Sequence, residues 1–290
     1  MISIFNQSNK ERRCNMPKIL TDDGVQIHYV MDDFTKPWLD SDTIDTIVLT
    51  PGFARNLKFW AQWVPTLASK FRVLRYDIRG FGESSVPPKG PYTIERLAKD
   101  TLSLIDQLGL KRVHFMGSTS GGFIALQFAL SYPERLKSLA LVRTPCKFSE
   151  KIVAGYSLGY GDPGEAMEKL GMSEWCAKTA GMSRLDPKAD PRMNQWNIAE
   201  QGKAPAWAAA AWLRCQAALD FRARLPEIKV PTLLMVGDRN VSSPLEQQVF
   251  MRQQIPDCRL VVFGGMGGGI EIMMPERCAR EALDFFSEIG

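Results

Sequence analysis

Apolar residues along the chain switch between two periods, and the switches mark the elements. Val25 to Val30 alternates after the Asp23-Gly24 turn, which predicts a half-buried strand. Thr46 to Thr50 (Thr-Ile-Val-Leu-Thr) is a short continuous apolar run, as expected of a strand covered on both faces. Lys58 to Ser69 predicts a helix and Phe71 to Tyr76 a strand. Thr93 to Leu108 predicts a second helix, with Thr93 as N-cap, Leu97, Leu102, Ile105 and Leu108 along one face, and Gly109 to end it. Arg112 to Met116 follows as strand, Gly121 to Ser131 as helix and Ser138 to Val142 as strand. From about residue 145 to 220 the pattern is helical, rich in Met, Trp and Cys, with no strand signal. The alternation then resumes: Pro231 to Val236 strand, Pro244 to Gln254 helix, Arg259 to Phe263 strand, Pro275 to Ile289 helix. The prediction is a doubly wound α/β core, residues 17–144 and 221–290, interrupted by a helical insertion at 145–220 and preceded by a polar tail at 1–16.

Composition narrows this only a little. The 290 residues are 45% hydrophobic and 23% charged, ordinary for a globular chain, which excludes disordered, collagen-like and coiled-coil readings. The net charge of +4 is spread out apart from Lys10, Arg12 and Arg13, so no nucleic-acid groove is expected. No apolar run approaches the roughly 20 residues needed to span a bilayer, and residues 1–16 lack the apolar core of a secretory signal. The six cysteines are scattered without a CxxC pair, so free thiols and a cytoplasmic location are expected, with no metal site. No phosphate loop or dinucleotide fingerprint occurs, and no cofactor is expected. Oligomeric state is left open.

The most informative stretch is Val113-His114-Phe115-Met116-Gly117-Ser118-Thr119-Ser120-Gly121-Gly122, a strand entering an apolar helix through G-x-Nuc-x-G-G. With it stand Pro51-Gly52-Phe53, Asp77-Ile78-Arg79-Gly80-Phe81-Gly82-Glu83-Ser84 and the lead-in Leu225-Pro226-Glu227-Ile228-Lys229-Val230-Pro231-Thr232. Together these motifs resemble the α/β-hydrolase superfamily from about residue 20 to the end. The resemblance implies an eight-stranded, mostly parallel sheet and a helical cap (145–220) roofing a pocket. It implies a nucleophile position at Thr119, an acid position at Asn240 and a histidine position at Gly268, where the family keeps Ser, Asp or Cys, then an acid, then His. It also implies an oxyanion hole from the backbone N–H groups of Phe53 and Ser120.

A hydroxyl needs an adjacent base to attack at neutral pH. The chain has two histidines, His28 and His114, and both fall inside predicted strands as core residues. A β-branched Thr119 is disfavoured at a strained elbow, so a relaxed turn is expected there. Remaining acid–base candidates are Ser118, Asp238 and Glu271, with Asp77 placed structurally at a strand end. The glycine run 264–269 implies a mobile loop or close approach of a ligand. Cys146, Met172, Trp175, Met182, Trp207 and Trp212 are expected to bind an apolar small molecule. These features lead to an expected non-hydrolytic enzyme, working on an apolar compound by cyclisation, isomerisation or lyase-type chemistry. A ligand-binding pseudoenzyme and an ester or lactone hydrolase with a rearranged site are the alternatives.

Overall fold

Strands whose side chains are apolar on both sides belong in the middle of a sheet, and their alternate residues sort into two separate cores. A computed structural model, which describes residues 17–36, 38, 43–88 and 92–289, shows this sorting. The expected tail at 1–16 lies outside the described residues. The strands are β1 (Lys18–Leu20), β2 (Gln26–Asp32), β3 (Thr46–Thr50), β4 (Arg72–Tyr76), β5 (Val113–Ser118), β6 (Leu136–Val142), β7 (Thr232–Gly237) and β8 (Cys258–Phe263). They form one eight-stranded sheet in the order β1-β2-β4-β3-β5-β6-β7-β8. The β1–β2 and β2–β4 pairs are antiparallel; the others are parallel.

The odd-even split is visible strand by strand. Val48, Phe115, Leu139, Leu141 and Leu234 face one core with α2 (Ile94–Gln107) and α3 (Ser120–Ser131). Ile47, Leu49, Met116, Ala140, Val142, Leu233 and Met235 face the other. Every residue of β3, β5 and β7 is buried, which is why these stretches read as unbroken apolar runs. The expected helix over Lys58 to Ser69 is broken into a 3-10 turn (Leu57–Trp60) and the one-turn α1 (Val64–Leu67). Pro65 is the reason: lacking an N–H, it fits only a first helical turn, so the helix restarts there. Thr93 caps α2 as expected, accepting from Arg96 N at 3.2 Å.

Between β6 and β7 come five helices: α4 (Glu150–Ser157), α5 (Pro163–Leu170), α6 (Met172–Ser183), α7 (Pro191–Gly202) and α8 (Ala206–Ala218). Their buried residues, including Met167, Trp175, Ala209 and Trp212, merge with the α2–α3 core instead of forming a separate one. After β7 come α9 (Leu245–Gln254), the short α10 (Ile270–Met273) and α11 (Pro275–Ser287). Among the described residues no helix is long and apolar enough to cross a membrane. The described cysteines are free, and among the described residues no group of three or more His, Cys, Asp or Glu is placed to hold a metal.

Candidate active site

The turn from β5 into α3 is built by exclusion. A Cβ on Gly117 would lie 2.4 Å from Gly121 O, one on Gly121 2.4 Å from Pro51 O, and one on Gly122 1.8 Å from Thr144 Oγ1. Only glycines allow the helix to start this close to the strand ends. Thr119 sits at the apex with φ 46° and ψ −108°, its N–H donating to Val142 O at 2.9 Å. The turn is therefore strained, which corrects the expectation of a relaxed one. Packing of the three glycines holds Thr119 there against a cost on the order of 1–3 kcal/mol. Its hydroxyl lies beside the loop after β3, where a Cβ on Gly52 would come within 2.6 Å of Thr119 Oγ1. In that loop and at the first residue of α3, the N–H groups of Phe53 and Ser120 have no acceptor among the described residues.

Both groups are held by the inserted helices. Gln201 on α7 donates Nε2 to Phe53 O at 2.9 Å, and Ser120 Oγ donates to Gln216 Oε1 on α8 at 2.5 Å. Phe53, Thr119, Ser120, Gln201 and Gln216 line a small cavity of about 50 Å³, together with Arg55, Arg143, Phe148, Tyr156, Trp175, Arg184, Leu213 and Ser242. The described residues contain four non-glycine residues with positive φ, namely Ala54, Thr119, Arg143 and Leu158. Two of them line this cavity, and Ala54 lies between two residues that do. Strain concentrated this way marks a functional centre.

Sequence reading missed the charge in the cavity. Arg143 follows directly on β6 at φ 50° and reaches Glu271, with Nε to Oε2 at 2.7 Å and Nη2 to Oε1 at 2.5 Å. Arg55 Nη1 donates to the same Glu271 Oε1 at 2.6 Å, and Ser118 Oγ lies 3.4 Å from it. All three ionic side chains are buried. Burial by itself would raise the Glu271 pKa, but the Arg143 and Arg55 guanidiniums overcome it and hold the carboxyl down at about 2. Glu271, a candidate acid or base, is thus a permanently ionised anchor for two arginines. Ser118 lies beneath the elbow against this cluster. Arg184, on the segment after α6, stacks its guanidinium 4.6 Å from the Trp175 ring centroid and donates to Gln201 Oε1 at 2.8 Å and Thr179 Oγ1 at 2.5 Å.

The other predicted residues lie elsewhere. Asn240 is buried outside the lining, its Oδ1 accepting from Ser243 N at 2.8 Å and Ser242 Oγ at 3.2 Å and its amide donating to Gly267 O at 3.3 Å. It shapes the turn after β7 and touches the cavity only through Ser242. Asp238 is exposed. Gly268 is buried, its carbonyl accepting from Asp186 N at 2.9 Å, while Asp186 Oδ2 accepts from Gly267 N at 2.7 Å. The glycine run is therefore approached by the chain's own Leu185 and Asp186, and a Cβ on Gly269 would lie 2.5 Å from Leu185 Cδ2. Of the six residues expected to bind an apolar molecule, Trp175 lines the cavity and the other five do not. Cys146 is buried with its thiol pushed up to about 11, Met172 and Trp212 are core, Met182 packs against Gly155, and Trp207 meets Tyr92 edge-on.

Both histidines are core residues. His28 Nδ1 pairs with Asp77 Oδ2 at 2.7 Å, and Asp77 also accepts from Leu57 N and Glu83 N. His114 Nδ1 bonds Ser138 Oγ at 2.7 Å and lies between Phe71 and Phe286; burial lowers its pKa to about 4. Among the described residues, no histidine and no carboxylate lines the cavity.

A family model described as the alpha/beta hydrolase fold matches residues 45–267. RutD of Stutzerimonas stutzeri, provisionally named a carbamate hydrolase, is 28% identical over 84% of this chain and 92% of its own length. A 3-oxoadipate enol-lactonase of Acinetobacter baylyi is 28% identical over 72% of this chain and 76% of its own. Among solved structures, a thermophilic esterase of Thermogutta terrifontis with malate bound superposes with a TM-score of 0.82 at 26% identity, covering 94% of this chain and 98% of that one.

Proposed function

The chain belongs to the alpha/beta hydrolase fold family, and from that premise we propose that it hydrolyses activated acyl compounds, namely esters or lactones whose leaving group departs as a stabilised anion. One observation carries this reading: two unengaged N–H groups, those of Phe53 and Ser120, belong to residues that line one cavity with a strained Thr119. Such a pair stabilises the oxyanion that forms when a nucleophile adds to a carbonyl. With no histidine or carboxylate lining the cavity, no group there protonates a poor leaving group, so the chemistry is confined to good ones such as enolates and phenolates. The Thr119 hydroxyl, lacking a basic neighbour, orients the attacking water. Relatives named as an enol-lactonase and a carbamate hydrolase, and a structural neighbour named as an esterase, support acyl chemistry here.

Dihydrocoumarin, a phenolic lactone, is expected to be opened at least 100-fold faster than δ-valerolactone, an alkyl lactone, measured as kcat/KM. Failure to open either overturns the reading. A second, non-hydrolytic reading would use the hole to stabilise an enolate, but its α-proton would have to pass to solvent, because no histidine or carboxylate lines the cavity. Product masses separate the two, since hydrolysis adds one water and isomerisation adds nothing.

A further inference from the structure

We infer that the cavity is a carboxylate-binding site, in which Arg184 receives an anionic group of the ligand while the ligand's carbonyl lies at Phe53 N and Ser120 N. The position given to the carbonyl rests on the acyl-hydrolase reading above; the anion site does not. Charge in the cavity points to an anionic ligand. Arg55, Arg143 and Arg184 line one cavity, and among the described residues the one carboxylate bonded to any of them, Glu271, is shared between the first two. That leaves a surplus of two positive charges on buried side chains. An uncompensated buried charge costs several kcal/mol, and a guanidinium is retained there where an anion balances it.

Arg184 is the free partner. Its hydrogen bonds go to the neutral oxygens of Gln201 and Thr179, its flat face rests on Trp175, and it also meets the Cys176 thiol, which burial keeps protonated. These contacts fix the plane of the guanidinium without neutralising it, as a preformed fork for a carboxylate requires. Its charge is felt across the cavity: burial depresses the Arg55 pKa most, and repulsion from Arg143 and Arg184 depresses it further. The same Gln201 that orients Arg184 also holds the Phe53 carbonyl, so the anion site and the oxyanion hole share one side chain. Around them Phe53, Phe148, Tyr156, Trp175 and Leu213 supply apolar walls. The ligand class is therefore a small molecule with an apolar body, an acyl carbonyl and a carboxylate, which replaces the apolar ligand expected from the Met and Trp content.

The test compares two esters matched in size, mono(4-nitrophenyl) adipate and 4-nitrophenyl 6-methylheptanoate, and follows Trp fluorescence during titration with adipate or adipamide. The expected preference for the adipate ester in kcat/KM is about 30-fold, the worth of one charge-assisted hydrogen-bond pair. Arg184→Gln is expected to reduce that preference to near unity, and Arg184→Lys to retain part of it. Adipate is expected to perturb the fluorescence and adipamide not to, in the unmodified protein, so a misfolded variant leaves the question answerable. Equal turnover of both esters with no adipate binding overturns the inference and leaves the hydrolase reading standing. Adipate binding with neither ester cleaved does the reverse.

Discussion

Glu271→Gln is expected to lower stability by about 3–5 kcal/mol, because it strands two buried guanidiniums with no counter-charge. For a chain of this size that corresponds to a fall in Tm of about 10 °C. Both Arg143 and Arg55 bond Oε1 of Glu271, and the former also bonds Oε2, so a neutral amide would turn N–H groups toward at least one of them. The pH dependence carries the same signature. The folded pKa of about 2 lies below the ordinary value of 4.5, so the stabilisation is fully present above pH 4.5 and is lost as pH falls toward 2. The gap corresponds to about 3 kcal/mol. His114 acts at higher pH: burial holds it at about 4 rather than 6.5, so stability begins to fall below pH 6.5 as the unfolded chain takes up that proton. Urea unfolding of both proteins at pH 7 and pH 3 checks this. The variant keeps the His114 contribution and lacks the later loss; equal losses in both proteins would refute the account.

Gln201→Leu is expected to reduce kcat about 100-fold on whichever activated ester is turned over. Gln201 Nε2 holds the Phe53 carbonyl at 2.9 Å, and so sets the direction of the neighbouring N–H that receives the oxyanion. Its Oε1 accepts from Arg184 at 2.8 Å, so the same change frees that guanidinium as well. The first effect falls on kcat, because the charge on the oxyanion develops only in the transition state; the second falls on KM for a carboxylate-bearing substrate. A neutral ester separates them: its kcat falls while its KM barely moves. Gln201→Glu gives the complementary result, since a carboxylate beside Arg184 competes with the substrate's own and raises KM for the anionic ester. A loss confined to KM for both esters would show that Gln201 merely packs.

Much of this was legible in the sequence, for reasons that differ by residue. The elbow was readable because its glycines answer to steric demands within ten residues of chain, and Gly117, Gly121 and Gly122 each exclude a Cβ at under 3 Å. Phe53 and Ser120 follow from the same motifs. The central strands were readable because burial on both faces leaves an unbroken apolar run. The arginines were not. Arg143 left a weak trace, a charge at the end of an otherwise apolar strand, whereas Arg184 lies in a helical stretch whose pattern says nothing of what it faces. Glu271 was visible as a candidate, but its role depends on Arg55 and Arg143, which lie 216 and 128 residues away in sequence. The Met- and Trp-rich segment misled because Met172 and Trp212 build the core of the inserted helices, Met182 is half-buried against Gly155, and Trp175 alone of the six turns to the cavity.

The proposed carbonyl chemistry uses main-chain N–H donors and arginine-held charge, without an imidazole base. The pH dependence of kcat/KM for mono(4-nitrophenyl) adipate between pH 5.5 and 8.5 tests it most directly. With both histidines buried away from the cavity, the profile is expected to be level or to rise smoothly with hydroxide, with no break between pH 6 and 7. A limb centred near pH 6.5 that disappears in His28→Asn or His114→Asn, or no turnover at any pH, would contradict it.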